Sequence, residues 1–169
     1  MPTITILEGM LRHVATSKAS AIVALSGSGN RNPFPVVDVV RQVASDRLGM
    51  AGAHLRAADQ LLQSGIFRAS ISRHYYAMYH TARAVVFAAT QGDDHQQHGV
   101  VARQLPSTLP DKALREAQLT DARLLRNEAD YDPYPMSEAL WAGDAQALGA
   151  IASEFISELE EFALTTGLI

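Results

Sequence analysis

The stretch ASISRHYYAMYHTARAVVFAA, residues 69–89, decides the fold because two different stripes repeat along it at helical spacing. Projected at ~100° per residue, one stripe is apolar and predicts a face buried in a protein core. Its members are Ile71, Tyr75, Met78, Ala82, Val85, Val86 and Ala89. The second stripe lies on the opposite side, within a sector of ~80°, and combines basic and aromatic side chains. It consists of Arg73, Tyr76, His80, Arg83 and Phe87.

The second stripe has two interpretations. Arginine matches planar oxyanions and histidine titrates near neutral pH, so this face could bind a phosphate or form a polar network between subunits. It could equally be a partly exposed polar surface on which arginine stems cover apolar groups. The helix alone does not decide between them.

Long helices are predicted on both sides of this stretch. One begins at Val36 and carries an apolar stripe up to Gly65, which stands where a C-terminal cap is expected. Another follows Ser137, a predicted N-cap, and repeats apolar residues at alternating steps of four and three, which is typical of a buried seam. The two stripes are Val40, Ala44, Leu48, Ala51, Leu55, Ala58 and Leu62, and Trp141, Ala145, Leu148, Ala152, Phe155, Leu159 and Phe162.

The segments between these helices predict two shorter elements. Residues 98–105 indicate a short helix or turn stopped by Pro106, and a further helix follows a Thr108 cap with Pro110 in its first turn. That helix must end near Tyr131, because the prolines at 133 and 135 disfavour a helical conformation of the residues that precede them. No segment alternates with the period of a strand. The predicted fold class is therefore all-α, an up-and-down bundle of four to five helices.

The N-terminal part has a different character. Apolar residues at spacings of three and four predict a short amphipathic helix over residues 4–25. Residues 26–35 are dense in Gly, Ser, Asn and Pro, the composition of a flexible connector. We therefore predict three parts: a helical extension over 1–25, a linker over 26–35 and a helical bundle domain over 36–169.

Composition narrows the function classes. A formal net charge of -4 argues against a protein that coats nucleic acid by bulk electrostatics, although a local basic site is compatible with it. The chain has no cysteine, which excludes a thiolate nucleophile and fits a reducing compartment. Its apolar runs are too short for a membrane span. These features predict a cytoplasmic protein without a membrane partner.

One loop resembles a metal-binding pattern. His95 and His98 are three residues apart in a segment that begins Asp93-Asp94. Two histidines without a convincing third ligand are a weak signal, and a polar loop after Gly92 needs no metal. We therefore predict neither a metal nor another cofactor.

A second set of polar residues lies at the end of the helix that precedes the two prolines. Arg126 and Asp130 are four residues apart and could form a simple ion pair worth only ~0.5 kcal/mol. Two antiparallel helices could also bring them into one cleft with the Arg73, Tyr76, His80 and Arg83 face.

The sequence resembles the HEPN superfamily, in particular its small stand-alone prokaryotic branch. The resemblance is carried by SRHYYAMYHTAR at residues 72–83, His98-Gly99, Leu109-Pro110 and RNEADY at residues 126–131, within roughly residues 44–164. It implies a homodimeric helical bundle. Many members are metal-independent ribonucleases, often toxins encoded beside a small nucleotidyltransferase antitoxin. The implied partners are thus a second copy of the chain, such an antitoxin, and RNA.

The resemblance also implies site residues. The catalytic signature of the family is an Arg, often followed by Asn, with a His about five residues after the Arg. Arg126 and Asn127 match its first part, whereas Tyr131 stands in the place of the histidine. We expect Arg126, Asn127, Tyr131 and His80 to be catalytic, and Arg73, Tyr76 and Arg83 to bind substrate. In some toxins of the group the partner nucleotidylates a tyrosine; here Tyr131 and Tyr134 flank that position.

Two function hypotheses follow. The first is a toxin-like, metal-independent endoribonuclease of a toxin-antitoxin pair. The second is a non-catalytic module that binds nucleotides, RNA or protein and has lost the catalytic histidine.

Overall fold

The computed structural model describes residues 3–26 and 34–169, and over these residues all regular elements are helices, with no strand. It confirms the predicted all-α bundle. The elements are α1 (Ile6–Ala15), α2 (Ala19–Ser26), α3 (Val36–Gln63), α4 (Phe67–Thr90), α5 (Lys112–Tyr131) and α6 (Ala142–Thr165), with short 3-10 helices at Val101–Gln104 and Glu138–Trp141. No helix in these two ranges is both long enough and apolar enough to cross a membrane.

Helix α4 is the centre of the bundle and packs against α3, α5 and α6. The predicted apolar stripe of α4 is buried from Ile71 to Val86, which confirms the main interpretation of this stretch. Two residues of the helix differ from the expectation. Ala89 is exposed near the end of the helix. Phe87, expected on the polar side, is buried beneath the N-terminal helices.

The first and last long helices also match their predictions. All seven residues of the Trp141 to Phe162 seam are buried in the main core. Gly65 has φ +73°, a left-handed conformation that glycine adopts without steric cost. It follows the end of α3, and the Ile66 amide donates back to the Leu61 carbonyl at 2.9 Å. The short connection reverses the chain and places α4 alongside α3.

Two predicted helix starts are wrong in detail. Helix α5 begins at Lys112 after Asp111, so Thr108 is not its cap. Ser137 precedes a 3-10 turn but forms no side-chain cap. The neighbouring Glu138 instead accepts a hydrogen bond at 2.9 Å from the backbone amide of Arg68 in the first turn of α4. A distant carboxylate thus satisfies a free amide at the start of the central helix.

The N-terminal segment forms two helices where the sequence predicted one. Thr16 and Ser17 interrupt it, and the side-chain hydroxyls of both donate to the His13 carbonyl, at 3.2 and 2.8 Å. Val14 and Ile22 pack with Val40, Val43 and Phe87 in a second apolar cluster. Of the predicted linker, residues 27–33 lie outside the described residues.

A buried carboxylate joins this segment to the bundle. Asp93 lies between two arginines, with Arg47 Nη2 at 3.1 Å from its Oδ1 and Arg83 Nη2 at 2.5 Å from its Oδ2. Arg47 also donates to the Ala15 carbonyl at 2.6 Å, and the Asp93 amide donates to the Ser17 carbonyl at 2.8 Å. The segment that suggested a metal pair in sequence is therefore where the N-terminal helices are attached.

Candidate functional site

The basic and aromatic face of α4 forms one wall of a surface pocket of about 530 Å³. Helix α3 contributes His54, and the end of α5 contributes Asp130. The pocket exists because α3 and α5 pack on neighbouring sides of α4 and leave its polar stripe between them. Its lining residues are His54, Ala69, Ser72, Arg73, Tyr76, His80 and Asp130.

Tyr76 connects the residues of this pocket. Its hydroxyl accepts a hydrogen bond from Arg126 Nη2 at 2.7 Å. Its ring stacks with those of His54 and His80, at centroid separations of 5.7 and 6.4 Å. The two histidines also stack on each other at 5.2 Å. One tyrosine thus links a guanidinium on α5 to two imidazoles on α3 and α4.

Arg126 is held on several sides. Its Nε lies 2.6 Å from Asp130 Oδ2, and its Nη1 donates to Asn127 Oδ1 at 3.2 Å. Its Cζ lies 5.3 Å from the centre of the Tyr76 ring and 5.4 Å from that of Tyr131, within cation–π range. These contacts fix the direction of the guanidinium before any ligand binds.

Both imidazoles of the pocket are neutral near pH 7. Burial lowers the pKa of His80 to about 4, and the nearby His54 and Arg83 act in the same direction. Burial, followed by the charge of Arg73, lowers the pKa of His54. His80 Nδ1 is buried and has no hydrogen-bond partner among the described residues. The pocket therefore offers uncharged imidazoles beside charged guanidiniums.

A second pocket, of about 370 Å³, lies beside His98 and shares no lining residue with the first. His98 Nδ1 is 2.6 Å from the hydroxyl of Tyr75, and its ring stacks on Tyr79 at 4.0 Å. The Tyr76 ring meets the His98 ring edge-on with their centres 6.0 Å apart, so the two pockets are neighbours. The second pocket is lined by His98, Gly99, Ala102, Arg103, Glu116, Thr120 and Arg123.

The structure brings most of the sequence-predicted residues together. Arg73, Tyr76 and His80 line the first pocket, while Arg126, Asn127 and Tyr131 lie at its α5 side. Arg83 is separate, because Asp93 binds it through both Nε and Nη2. Tyr134 lies in the exposed segment after α5. The chemical roles assigned to these residues remain predictions.

Sequence reasoning missed His54. A signal for it existed, since His54 follows Ala51 by three residues and precedes Ala58 by four, next to the apolar stripe of α3. A polar ring at such a position faces a neighbouring helix. Arg73 Nη1 lies 3.4 Å from His54 Nδ1, and because a guanidinium only donates, this imidazole carries its proton on Nε2.

The described residues contain no group of three or more His, Cys, Asp or Glu side chains that could hold a metal ion. His95 and His98 belong to the loop that leads into the second pocket. His98 has a different partner there, the Tyr75 hydroxyl.

Comparison with known proteins places this helical arrangement in a family. The HEPN domain profile matches residues 44–162, which include both pockets. The chain belongs to the HEPN family. It is also similar to the UPF0332 protein glr0978 of Gloeobacter violaceus, with 32% identity over 125 residues that cover 69% of this chain and 93% of the relative. Helices α1 and α2 precede the part that the HEPN profile matches.

Proposed function

We propose that this HEPN protein is a metal-independent endoribonuclease and that it cleaves RNA in the first pocket, which Tyr76 lines. One observation carries the proposal: the guanidinium of Arg73 lines a pocket whose imidazoles are uncharged near pH 7, and that of Arg126 bonds to the Tyr76 hydroxyl in the pocket wall. Guanidiniums stabilise phosphate charge. An uncharged imidazole can accept a proton, and the negative charge of a bound phosphate would raise the low pKa of His80 and so make it a stronger base. These are the two functions that RNA cleavage without a metal requires.

The reaction would use the 2′-hydroxyl of the RNA. Its oxygen attacks the adjacent phosphorus while its proton passes to His80, and the bond from phosphorus to the 5′-oxygen breaks. The leaving 5′-oxygen takes a proton from the Tyr131 hydroxyl or from His80 once His80 is protonated. Arg126, already oriented by Asp130 and Tyr76, stabilises the charge that develops on the phosphate, and Asn127 orients it.

Cleavage of RNA in the presence of a chelator tests the proposal. Removing one oriented charge-stabilising donor typically costs ~10²–10³ in rate, so we expect Arg126→Ala to lose measurable cleavage while its helical content is unchanged. Arg56→Ala is the matched control, because Arg56 is exposed on α3 and does not line the pocket. Native protein that leaves both structured and single-stranded RNA intact would refute the proposal.

Tyr131→His provides a gain-of-function test. It restores the histidine of the family signature beside Arg126, and it should raise the cleavage rate if the Tyr131 ring, 5.4 Å from the Arg126 guanidinium, stands at the reacting centre. Tyr134→His is its control on the exposed segment. Equal cleavage rates in the Tyr131→His and Tyr134→His variants would count against a position of Tyr131 at the reacting centre.

A second candidate function is binding of RNA or protein without cleavage. It is favoured by the ion pair of Arg126 with Asp130, which leaves less of the arginine charge for a phosphate, and by Tyr131 in the histidine position. This function predicts RNA binding that Arg126→Ala weakens, with no product at any pH.

The toxin interpretation adds two partners, a second copy of the chain and a nucleotidyltransferase antitoxin. Tyr131 and Tyr134 are 71% and 73% exposed, which makes their hydroxyls accessible to a modifying partner. Growth arrest on expression, relieved by a co-encoded nucleotidyltransferase, would support the pair. Sedimentation that shows only monomer at tens of micromolar would contradict a stable homodimer.

A further inference from the structure

We propose that the second pocket is an anion subsite for single-stranded RNA. In it, His98, Arg103 and Arg123 bind a phosphodiester next to the phosphodiester that lies in the first pocket, beside Tyr76. The inference rests on the proposed function for its ligand. It assigns a binding role to a pocket and to three residues outside the predicted site.

The Tyr75 hydroxyl sets the chemical character of His98. Tyr75 is 1% exposed, and its hydroxyl contacts His98 Nδ1 at 2.6 Å. Burial raises the pKa of Tyr75, so the hydroxyl keeps its proton, and the described residues give that proton no other acceptor. A buried donor without a partner would be costly, so the hydroxyl donates to Nδ1. His98 therefore carries its own proton on Nε2, on the side of the ring away from Tyr75.

The remaining contacts hold this donor in place. The His98 ring stacks on Tyr79 with an interplanar angle of 11°, and the Tyr79 hydroxyl donates to the Gln96 carbonyl at 2.5 Å. His98 is nevertheless an exposed residue. An exposed imidazole that is fixed by two buried tyrosines is pre-oriented for a ligand, because little side-chain entropy is lost on binding.

Among the described residues, no carboxylate forms an ion pair with the arginines around this donor. Arg47, Arg83, Arg115 and Arg126 each form ion pairs. No ion pair involves Arg103 or Arg123 within residues 3–26 and 34–169, although Glu116 also lines the pocket. Arg123 Nη1 lies 3.9 Å from where a Cβ on Gly99 would stand, beside the His98 backbone.

The position of the pocket favours a strand over a single phosphate. Tyr76 belongs to the first pocket, and its ring centre is 6.0 Å from that of His98. Arg73 lies in the first pocket, Arg103 and Arg123 lie in the second, and within the described part of the chain none of the three has a carboxylate partner. A chain of phosphodiesters can contact both sets at once, with one phosphate in each pocket.

Binding of a fluorescent 2′-O-methyl oligoribonucleotide to the full chain tests the proposal independently of cleavage, because this probe lacks the attacking hydroxyl. We expect the double variant Arg103→Ala/Arg123→Ala to bind about tenfold more weakly, as for loss of a hydrogen bond to a charged group. The dependence of log K on log salt should flatten by about 0.7 for each phosphate that the variant no longer binds. The double variant Arg12→Ala/Arg56→Ala, with the same charge change on exposed residues elsewhere, should bind as the native chain does.

Tyr75→Phe tests the donor assignment. It leaves His98 in place but removes the proton that selects its tautomer, so binding should weaken severalfold. The imidazole ¹⁵N–¹H spectrum of the native protein gives an answer that needs no variant: His98 should show a proton on Nε2, and this signal should shift when the oligonucleotide is added. Inorganic phosphate alone at the same concentration should leave the His98 signal unchanged. An equal shift with phosphate would refute the proposal that the pocket binds part of an RNA strand.

The outcomes separate this inference from the proposed function. If the native protein cleaves RNA, but the Arg103→Ala/Arg123→Ala variant has the same RNA affinity and the same salt dependence of that affinity, the subsite alone is overturned. Protein that binds the probe through these residues but never cleaves RNA would overturn the ribonuclease alone. Protein that neither binds nor cleaves would overturn both.

Discussion

Replacing Asp93 with Asn should destabilise the protein more than any other single charge change on the loop after α4. The carboxylate is 2% exposed and faces two guanidiniums, those of Arg47 and Arg83, whose side chains are 9% and 20% exposed. The variant keeps the volume and one carbonyl acceptor. It removes the charge and turns an amide group toward two other donors, so two largely buried positive charges lose their counter-ion.

The expected loss of unfolding free energy is about 3 kcal/mol. Removing one partner of a buried ion pair typically costs ~3–5 kcal/mol, and the partial exposure of Arg83 places this site at the lower end. For a chain of this size, each kcal/mol corresponds to a change of about 2–4 °C in Tm, so Tm should fall by about 6–12 °C.

Urea denaturation followed by circular dichroism measures this loss, with Asp121→Asn on the exposed side of α5 as the control. A second readout is limited proteolysis. Arg47 also bonds to the Ala15 carbonyl, so disturbance of the arginine pair should speed cleavage between α1 and α2. A loss below about 1 kcal/mol would refute the argument that Asp93 offsets two buried charges.

Three further predictions concern packing and pH. Trp141→Ala should cost ~3–5 kcal/mol in denaturation experiments, because the ring is buried in the main core and its Nε1 bonds to the Pro135 carbonyl at 3.1 Å; Leu140→Ala, in the same turn but exposed, should cost much less. Gly92→Ala should loosen α2, since a Cβ there would stand 2.1 Å from the Ala19 amide nitrogen; hydrogen exchange in α2 that matches the native chain would contradict this. The free energy of unfolding should fall as pH drops from 6.5 toward 4, because folding lowers the pKa of His80 to about 4 and so favours the neutral imidazole. Urea denaturation at a series of pH values measures this fall, and His80→Gln should make it smaller between pH 6.5 and 4.

The fold was predictable from the sequence where apolar spacing is strict. The Trp141 seam and the Ile71 face of α4 were correct because burial of a continuous stripe outweighs local preferences. The helix ends were less predictable. A Thr cap at 108 was plausible locally, yet α5 begins after Asp111, and the Glu138 carboxylate serves α4 instead of its own helix. Such choices depend on tertiary contacts that no local pattern contains.

The site was predictable only in part, for a related reason. The polar stripe of α4 and the Arg126 end of α5 could be recognised as one-dimensional patterns, and the structure places them together. His54 enters from α3, and its proximity to Tyr76 depends on how the Gly65 turn aligns the two helices. Arg83 looked equivalent to Arg73 on the helical projection. The projection omits the loop that returns Asp93 to α4 and binds Arg83 there.

Adjacent tyrosines explain why one helix can serve two pockets. Successive residues of an α-helix point ~100° apart, since a turn contains ~3.6 residues. Tyr75 and Tyr76 therefore direct their hydroxyls to different neighbours, Tyr75 to His98 and Tyr76 to Arg126. Tyr75 is buried in the core and Tyr76 is partly exposed, so the packing that fixes the first ring also fixes the direction of the second. The same packing that stabilises α4 thus sets the orientation of an imidazole in one pocket and a guanidinium at the other.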